Sequence, residues 1–147
     1  MMLVLDASMA LAWIFERRDV DQHDRAQRVL QMLAGDTVAI VPSLWSVEVA
    51  NSLLVGERRN IISQAQSVDF LARLDRLPIL IDTVSPASRR DPVLGLARQY
   101  GLTAYDACYL ELALRTTGTL ATFDVKLAQA ARSAGALVFE WQPEAGY

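Results

Sequence analysis

A three-layer α/β/α sandwich with a mostly parallel central sheet is the fold that this chain of 147 residues predicts. Three observations carry that expectation. Short runs of β type alternate with helical patterns along the whole length, the runs are continuously apolar as strands covered on both faces are, and glycine or proline punctuates the junctions. Alternating β and α segments close most simply into a parallel sheet between two layers of helices. The chain is expected to form one domain over residues 1–147, with 52% hydrophobic residues to fill its core.

The elements follow in order. Residues 2–6 read as a first strand, 8–15 as a helix, and roughly 22–33 as a second helix closed by Gly35-Asp36. A strand over 38–41 leads through Pro42-Ser43 into a helix over 44–55, and Ser63 is placed to cap a helix over 63–77. A third strand at 79–81 precedes a helix over about 86–100, ended by Gly101. A helix over 103–115, a strand at 119–121, a helix over 125–133 and a last strand at 137–139 complete the pattern, with Gly118 and Gly135 at the helix exits. No internal repeat, low-complexity tract or long linker interrupts it.

Four carboxylates stand where a plain soluble fold would not place them. Asp6 closes the apolar run Leu3-Val4-Leu5, and Glu48 sits between Val47 and Val49 on the third helical pattern. Asp106 lies between Tyr105 and Ala107 in the sixth, and Asp124 follows Leu120-Ala121-Thr122-Phe123. A buried carboxylate without a partner costs several kcal/mol or takes up a proton, and no arginine stands at matching places in these segments. One shared divalent cation, Mg²⁺ or Mn²⁺, is the economical partner, because oxygen ligands gathered in a cleft suit hard ions. In open α/β sheets such sites form beyond the carboxyl ends of the strands, where Asp6 and Asp124 fall. Ser8, Asn51, Thr103 and Thr122 stand two or three residues from the four acids and could orient them.

Blander readings compete. Helix N-capping accounts for Asp6 or Asp124 taken alone, though it does not account for Glu48, or for Asp106, read as lying beyond the first turn of its helix. Glu111 lies about 140° around the helix from Asp106 and points elsewhere, an outer ligand at most. His23 is in a polar stretch and reads as solvated, and Cys108 reads as a small buried hydrophobe. The single cysteine and single histidine exclude a disulfide framework and a cysteine or histidine zinc site. No phosphate-cradling glycine loop and no serine-nucleophile elbow is present.

The net charge of −3 would ordinarily argue against a polyanionic partner, but a bound cation would offset part of the acidic excess. The basic residues are 13 arginines and one lysine, several as the doublets Arg17-Arg18, Arg58-Arg59 and Arg89-Arg90, which can hold phosphates or simply be solvated. The N-terminal stretch has no basic segment before it and is broken by Asp6, so no signal peptide or membrane span is expected, and the cytoplasm is the expected location.

Val4-Leu5-Asp6-Ala7-Ser8 with Ala10-Leu11-Ala12-Trp13, Glu48-Val49-Ala50-Asn51, Thr103 to Ala113, and Leu120-Ala121-Thr122-Phe123-Asp124-Val125-Lys126-Leu127 together resemble the four motifs of PIN-domain ribonucleases. The resemblance is specifically to the VapC toxins of bacterial type II toxin–antitoxin pairs, and it covers essentially the whole chain. It implies an Mg²⁺- or Mn²⁺-dependent endoribonuclease that hydrolyses RNA with a metal-activated water, leaving 5′-phosphate and 3′-hydroxyl ends. It also implies a homodimer held inactive by a VapB-like antitoxin, for which the segments around Trp13-Ile14-Phe15 and Trp45 are the expected groove. Asp6, Glu48, Asp106 and Asp124 match the catalytic and metal-binding acids of the family; Ser8, Asn51, Thr103 and Thr122 match their polar supporters. Lys126 departs from PIN domains that carry a further acid two residues after the last aspartate, which bears on whether one or two ions bind. A non-catalytic RNA-binding domain of the same fold would be expected to lack one of the four acids, and a DNA-directed nuclease would keep them all.

Overall fold

The computed structural model describes residues 1–140. Its centre is a sheet of five strands, β1 (Met2–Leu5), β2 (Val38–Val41), β3 (Ile79–Ile81), β4 (Thr119–Ala121) and β5 (Leu137–Val138). They lie in the order β3-β2-β1-β4-β5, and every pairing is parallel, a stricter arrangement than the mostly parallel sheet expected. Leu3, Val4 and Leu5 are all fully buried. Successive strand residues face opposite sides of a sheet, so three such positions in a row require cover on both faces, as in a three-layer sandwich. At the edges the cover thins: Leu80 and Ile81 of β3 and Leu137 of β5 are more than half exposed.

Seven α-helices connect the strands among the described residues: α1 (Ala7–Leu11), α2 (Val20–Ala34), α3 (Leu44–Arg58), α4 (Gln64–Leu74), α5 (Arg90–Tyr100), α6 (Ala104–Thr116) and α7 (Val125–Ser133). Local chemistry sets their ends. The Asp19 side chain accepts from Gln22 N to start α2, and a reciprocal pair of bonds between Ser63 and Gln66 starts α4. Gly101 closes α5 at φ 64°, a left-handed turn that a residue without Cβ takes at little cost, and so aims the chain directly into α6. Ala26, Val29 and Leu33 form the buried stripe of α2, and Phe70 and Leu74 that of α4.

Two helices differ from the expectation. The first is regular only to Leu11, after which tighter backbone bonds carry the chain from Trp13 to Phe15. The helix expected over residues 86–100 is a 3₁₀ turn, Pro86–Arg89, followed by α5, because Arg89 leaves helical geometry at φ −107° and ψ 2°. Of the segments expected to form a groove, Trp45 is closed off, while Trp13, Ile14 and Phe15 stay partly exposed. Trp45 is buried, and Trp13, Ile14 and Phe15 pack against the core, Trp13 donating its indole N–H to Ala26 O at 2.8 Å. Large aromatic side chains at the junction of α1 with α3 bury more surface inward than they could offer to a partner. The apolar side chains that do face solvent on α3 and α4 are Val47, Leu54, Val55, Val68 and Leu71.

Gly56 lets α3 pass close to the turn after α1. A Cβ there would come within 2.7 Å of the Phe15 ring and 3.1 Å of Ile62. The overpacking penalty of about 1–3 kcal/mol outweighs the helix-propensity gain of about 1 kcal/mol. Gly56→Ala is therefore expected to lower stability by about 1 kcal/mol in urea denaturation; an increase would show that Phe15 has room to move.

Candidate active site

The strand order reverses direction at β1: β2 and β3 lie on one side, β4 and β5 on the other. A crevice opens beyond the carboxyl ends of strands at such a point, and Asp6 ends β1 just there, with Thr122 at the end of β4. Asp6 N donates to Ala121 O at 3.0 Å, so the two strand ends are tied together before any side chain acts.

The Asp6 carboxylate is 7% exposed. Its Oδ2 accepts from Thr122 Oγ1 at 2.6 Å and from Ser8 Oγ at 2.8 Å. The two hydroxyls are engaged in turn: Asp124 N donates to Thr122 Oγ1 at 3.0 Å, and Phe123 N donates to Ser8 Oγ at 3.2 Å. Asp6 occupies the N-cap position of α1 but makes no side-chain cap bond, so the bland capping account fails for it. Asp124 does cap its helix, Oδ1 accepting from Leu127 N at 3.0 Å, and this fixes the side chain on the same loop as Thr122.

Glu48 comes from the second turn of α3, and Asp106 from the first turn of α6, nearer the helix start than expected. The Thr103 hydroxyl caps α6 by accepting from Asp106 N at 3.1 Å, which places Asp106 at the positive end of that helix. Glu48 Oε1 accepts from the Tyr109 hydroxyl at 2.5 Å. Tyr109 is 1% exposed, and its phenol is pushed well above its ordinary pKa by burial and by its bond to Glu48. The sequence reading missed this residue. Asn51, expected to support Glu48, is exposed and makes no side-chain hydrogen bond among the described residues.

The four carboxylates act on one another electrostatically. Burial raises the Asp6 carboxyl above the ordinary range, and Asp124 adds to the rise, against the hydrogen bonds of Thr122 and Ser8. Burial, then Asp6 and Asp106, raise Glu48, while its bond from Tyr109 holds it down. Burial, then Asp124 and Asp6, raise Asp106, with Thr103 and the Lys126 ammonium opposing. No arginine contributes to any of the three. The contrast lies at Glu111, also buried, whose carboxylate accepts from Arg89 Nε at 2.6 Å and Arg115 Nε at 2.8 Å. Arg115 also pairs with Asp82 at 2.6 Å. Asp82 is held below the ordinary range because that pairing outweighs its burial. Glu111 thus belongs to a structural ion-pair network, turned away from the acids by its angle around α6.

Among the described residues, no three Asp, Glu, His or Cys side chains form a group that could hold an ion as they stand. The fit to a hard divalent cation is one of donor chemistry. Asp6, Glu48, Asp106 and Asp124 supply oxygen donors, none of them in a salt bridge among the described residues and with Lys126 the one cation acting on Asp106, and Mg²⁺ commonly takes only one or two carboxylates and keeps several waters.

Comparison with known proteins agrees with this reading of the fold. A family profile described as the PIN domain matches residues 3–133. Ribonuclease VapC3 of Pyrobaculum aerophilum is 31% identical over 129 residues, covering 88% of this chain and 94% of that protein. Ribonuclease VapC1 of Mycobacterium tuberculosis is 35% identical over 103 residues, 69% of this chain and 74% of its own. Among solved structures, VapBC2 from Rickettsia felis, bound to a DNA fragment from its promoter, superposes with a TM-score of 0.68 at 18% identity over 97% of this chain and 100% of that one. That likeness is one of fold.

The charge crowding has a stability consequence. Asp6, Glu48 and Asp106 bind protons more tightly folded than unfolded, so the stability they contribute is complete below the unfolded carboxylate pKa and is lost as pH rises through the raised folded values. Asp82 has the opposite sign, its contribution being lost as pH falls through its lowered value. In chelator the protein is expected to gain stability on acidification from neutral pH and to lose it again at more acid pH. Asp106→Asn should raise the metal-free stability at neutral pH by about 0.5–1 kcal/mol, after discounting for solvent screening and for the lost helix-dipole interaction. Thermal melts across pH in EDTA check this; a variant less stable than the parent at neutral pH would contradict it.

Proposed function

The chain belongs to the PIN-domain family, and on that premise we propose that it is a VapC-type toxin, an endoribonuclease dependent on Mg²⁺ or Mn²⁺. The observation that carries the reading is the set of four acids around the β1–β4 crevice, none of them in a salt bridge among the described residues, of which Asp6, Glu48 and Asp106 are raised by burial and by neighbouring acids. Asp6, Glu48, Asp106 and Asp124 would hold the ion. When bound, it supplies a water of lowered pKa and positive charge opposite the phosphate in the transition state.

The chain's own groups do the rest. Ser8 and Thr122 fix the Asp6 carboxylate from one side, so that its position does not depend on the substrate. Tyr109 fixes Glu48 from beneath, and the Thr103 cap and the Asp124 cap fix the two helix-borne aspartates relative to the backbone. Glu48 and Asp106, about half-buried, face the crevice where an RNA phosphate would enter. The ends expected are a 5′-phosphate and a 3′-hydroxyl.

A VapB-like antitoxin and a second copy of the chain are the proposed partners, in the cytoplasm. The half-exposed apolar side chains Leu54 and Leu71, with the more exposed Val47 and Val68 on α3 and α4, support a protein partner on that face. No helix among the described residues is long and apolar enough to cross a membrane. Sedimentation equilibrium is expected to give the dimer mass at micromolar concentration, and growth arrest on expression should be relieved by co-expression of the antitoxin; a strict monomer that leaves growth unaffected would refute the assignment.

The chemistry is tested by incubating single-stranded RNA and DNA of the same sequence with the protein in Mg²⁺, Mn²⁺ or EDTA. RNA alone should be cut, only with metal, and Asp6→Asn should abolish cutting. Cutting of DNA would favour the DNA-directed reading, and cutting in EDTA would exclude the metal-dependent one. Tyr109→Phe should lower activity or apparent metal affinity by about 10–100-fold with the fold intact, the usual range for losing a group that orients a ligand.

A further inference from the structure

Beside the acids, the molecule carries positive charge that the proposed reaction does not use. The loop between α1 and α2 bears Arg17, whose guanidinium carbon lies 4.4 Å from the centroid of the Phe123 ring. Arg25 on α2 approaches the same ring at 5.8 Å. Neither arginine takes part in a salt bridge among the described residues. Arg17 donates only to the neutral Gln22 Oε1, at 3.0 Å, and Arg25 Nε is buried without a hydrogen-bond partner. Phe123 is no ordinary neighbour. It stands between Thr122 and Asp124, and its backbone N–H is bonded to Ser8, so the ring that holds Arg17 is set by the hydrogen bonds that position Asp6.

A cleft of about 630 Å³ opens at this place, lined by Ser8, Phe15, Arg17, Arg18 and Gln22 among others. Ser8, whose hydroxyl is bonded to Asp6, and the two adjacent arginines share its walls. Stacking on the ring holds one face of the Arg17 guanidinium and leaves the N–H groups not bonded to Gln22 for the oxygens of an anion, while desolvation at the ring strengthens the cation's field. Glu16 and Asp19 also border the cleft; the helix cap orients the Asp19 carboxylate without neutralising it, so the two acids offset part of the arginines' charge there.

We propose that this cleft, with Arg17 braced on Phe123 and Arg18 beside it, is a phosphate subsite that grips the RNA strand next to the bond being cut. The proposal rests on the ribonuclease reading and deepens it. Single-stranded nucleic acid is held by cationic grooves with arginine and aromatic surfaces, and the grip registers the strand against Asp6 without reading its sequence.

The test uses the full chain carrying Asp6→Asn, which leaves the RNA intact, titrated with fluorescein-labelled single-stranded RNA in EDTA at several KCl concentrations. Adding Arg17→Ala should weaken binding about tenfold at low salt and reduce the slope of log Kd against log salt by about 0.7, the value for one phosphate contact on a single strand. Arg17→Lys should keep the slope but lose affinity, because charge survives and stacking does not. Arg28→Ala, on the exposed side of α2, should change neither. In the active protein Arg17→Ala should raise KM with kcat nearly unchanged. If the parent cuts RNA but Arg17→Ala binds it with the same affinity and salt slope, the subsite is wrong and the nuclease reading stands. If the parent neither binds nor cuts RNA, both fall. Unchanged RNA binding with loss of antitoxin binding would assign the cleft to an acidic protein segment and overturn the proposal.

Discussion

Everything at the crevice depends on one arrangement: a carboxylate buried at the end of the central strand and answered by uncharged donors alone. Thr122 and Ser8 donate to Asp6 but carry no charge, so they orient it without neutralising it. A buried acid held this way binds its proton more tightly unless a cation arrives, and the fold bears the cost of that. The parallel sheet makes the arrangement possible, because only at the β1–β4 boundary do two strand ends open a gap with helices on both sides.

The same chain shows what it does with acids meant for stability. Glu111 and Asp82 are joined through Arg115, and Glu111 takes Arg89 as well. These carboxylates tie α6 to the end of β3 and to the turn before α5. Arg89 and Arg115 serve this network, Arg17 and Arg25 lie by the Phe123 ring, and none of them forms a salt bridge with the four acids. The separation of two acid populations on one helix, Asp106 toward the crevice and Glu111 toward the network, follows from their angle around α6.

Much of this was legible in the sequence, for physical reasons that differ by element. The strands over Val38–Val41, Ile79–Ile81 and Thr119–Ala121 agree with expectation residue for residue, since each is a short apolar run cut off sharply by proline, glycine or a polar residue. The hydroxyls of Ser8 and Thr122 were readable because both lie within two residues of an acid at a strand end. Tyr109 was not, because it sits in an apolar helical run where an aromatic reads as core; a buried phenol needs a partner, and that was the available signal. Asn51 is exposed and holds no side-chain hydrogen bond among the described residues, because helical spacing gives a shared face with Glu48 but no partner for the amide. The contact of Arg17 with Phe123 joins residues far apart in the sequence, and no local pattern encodes it. Trp45 misled because apolar content alone does not say whether a side chain is turned to solvent or to the core.

Thr122 has one lone-pair engagement and one proton, and both are assigned: it accepts from Asp124 N and donates to Asp6. The direction of that hydroxyl is thereby fixed while Asp6 is ionised. If Asp6 takes up a proton on the oxygen facing Thr122, the second lone pair of Oγ1 can receive that proton, and the hydroxyl turns its own hydrogen aside without releasing Asp124 N. The ionisation of a strand end and the seating of a helix more than a hundred residues away along the chain therefore share one oxygen atom and are still set separately, so that Asp6 can change its charge without unseating α7.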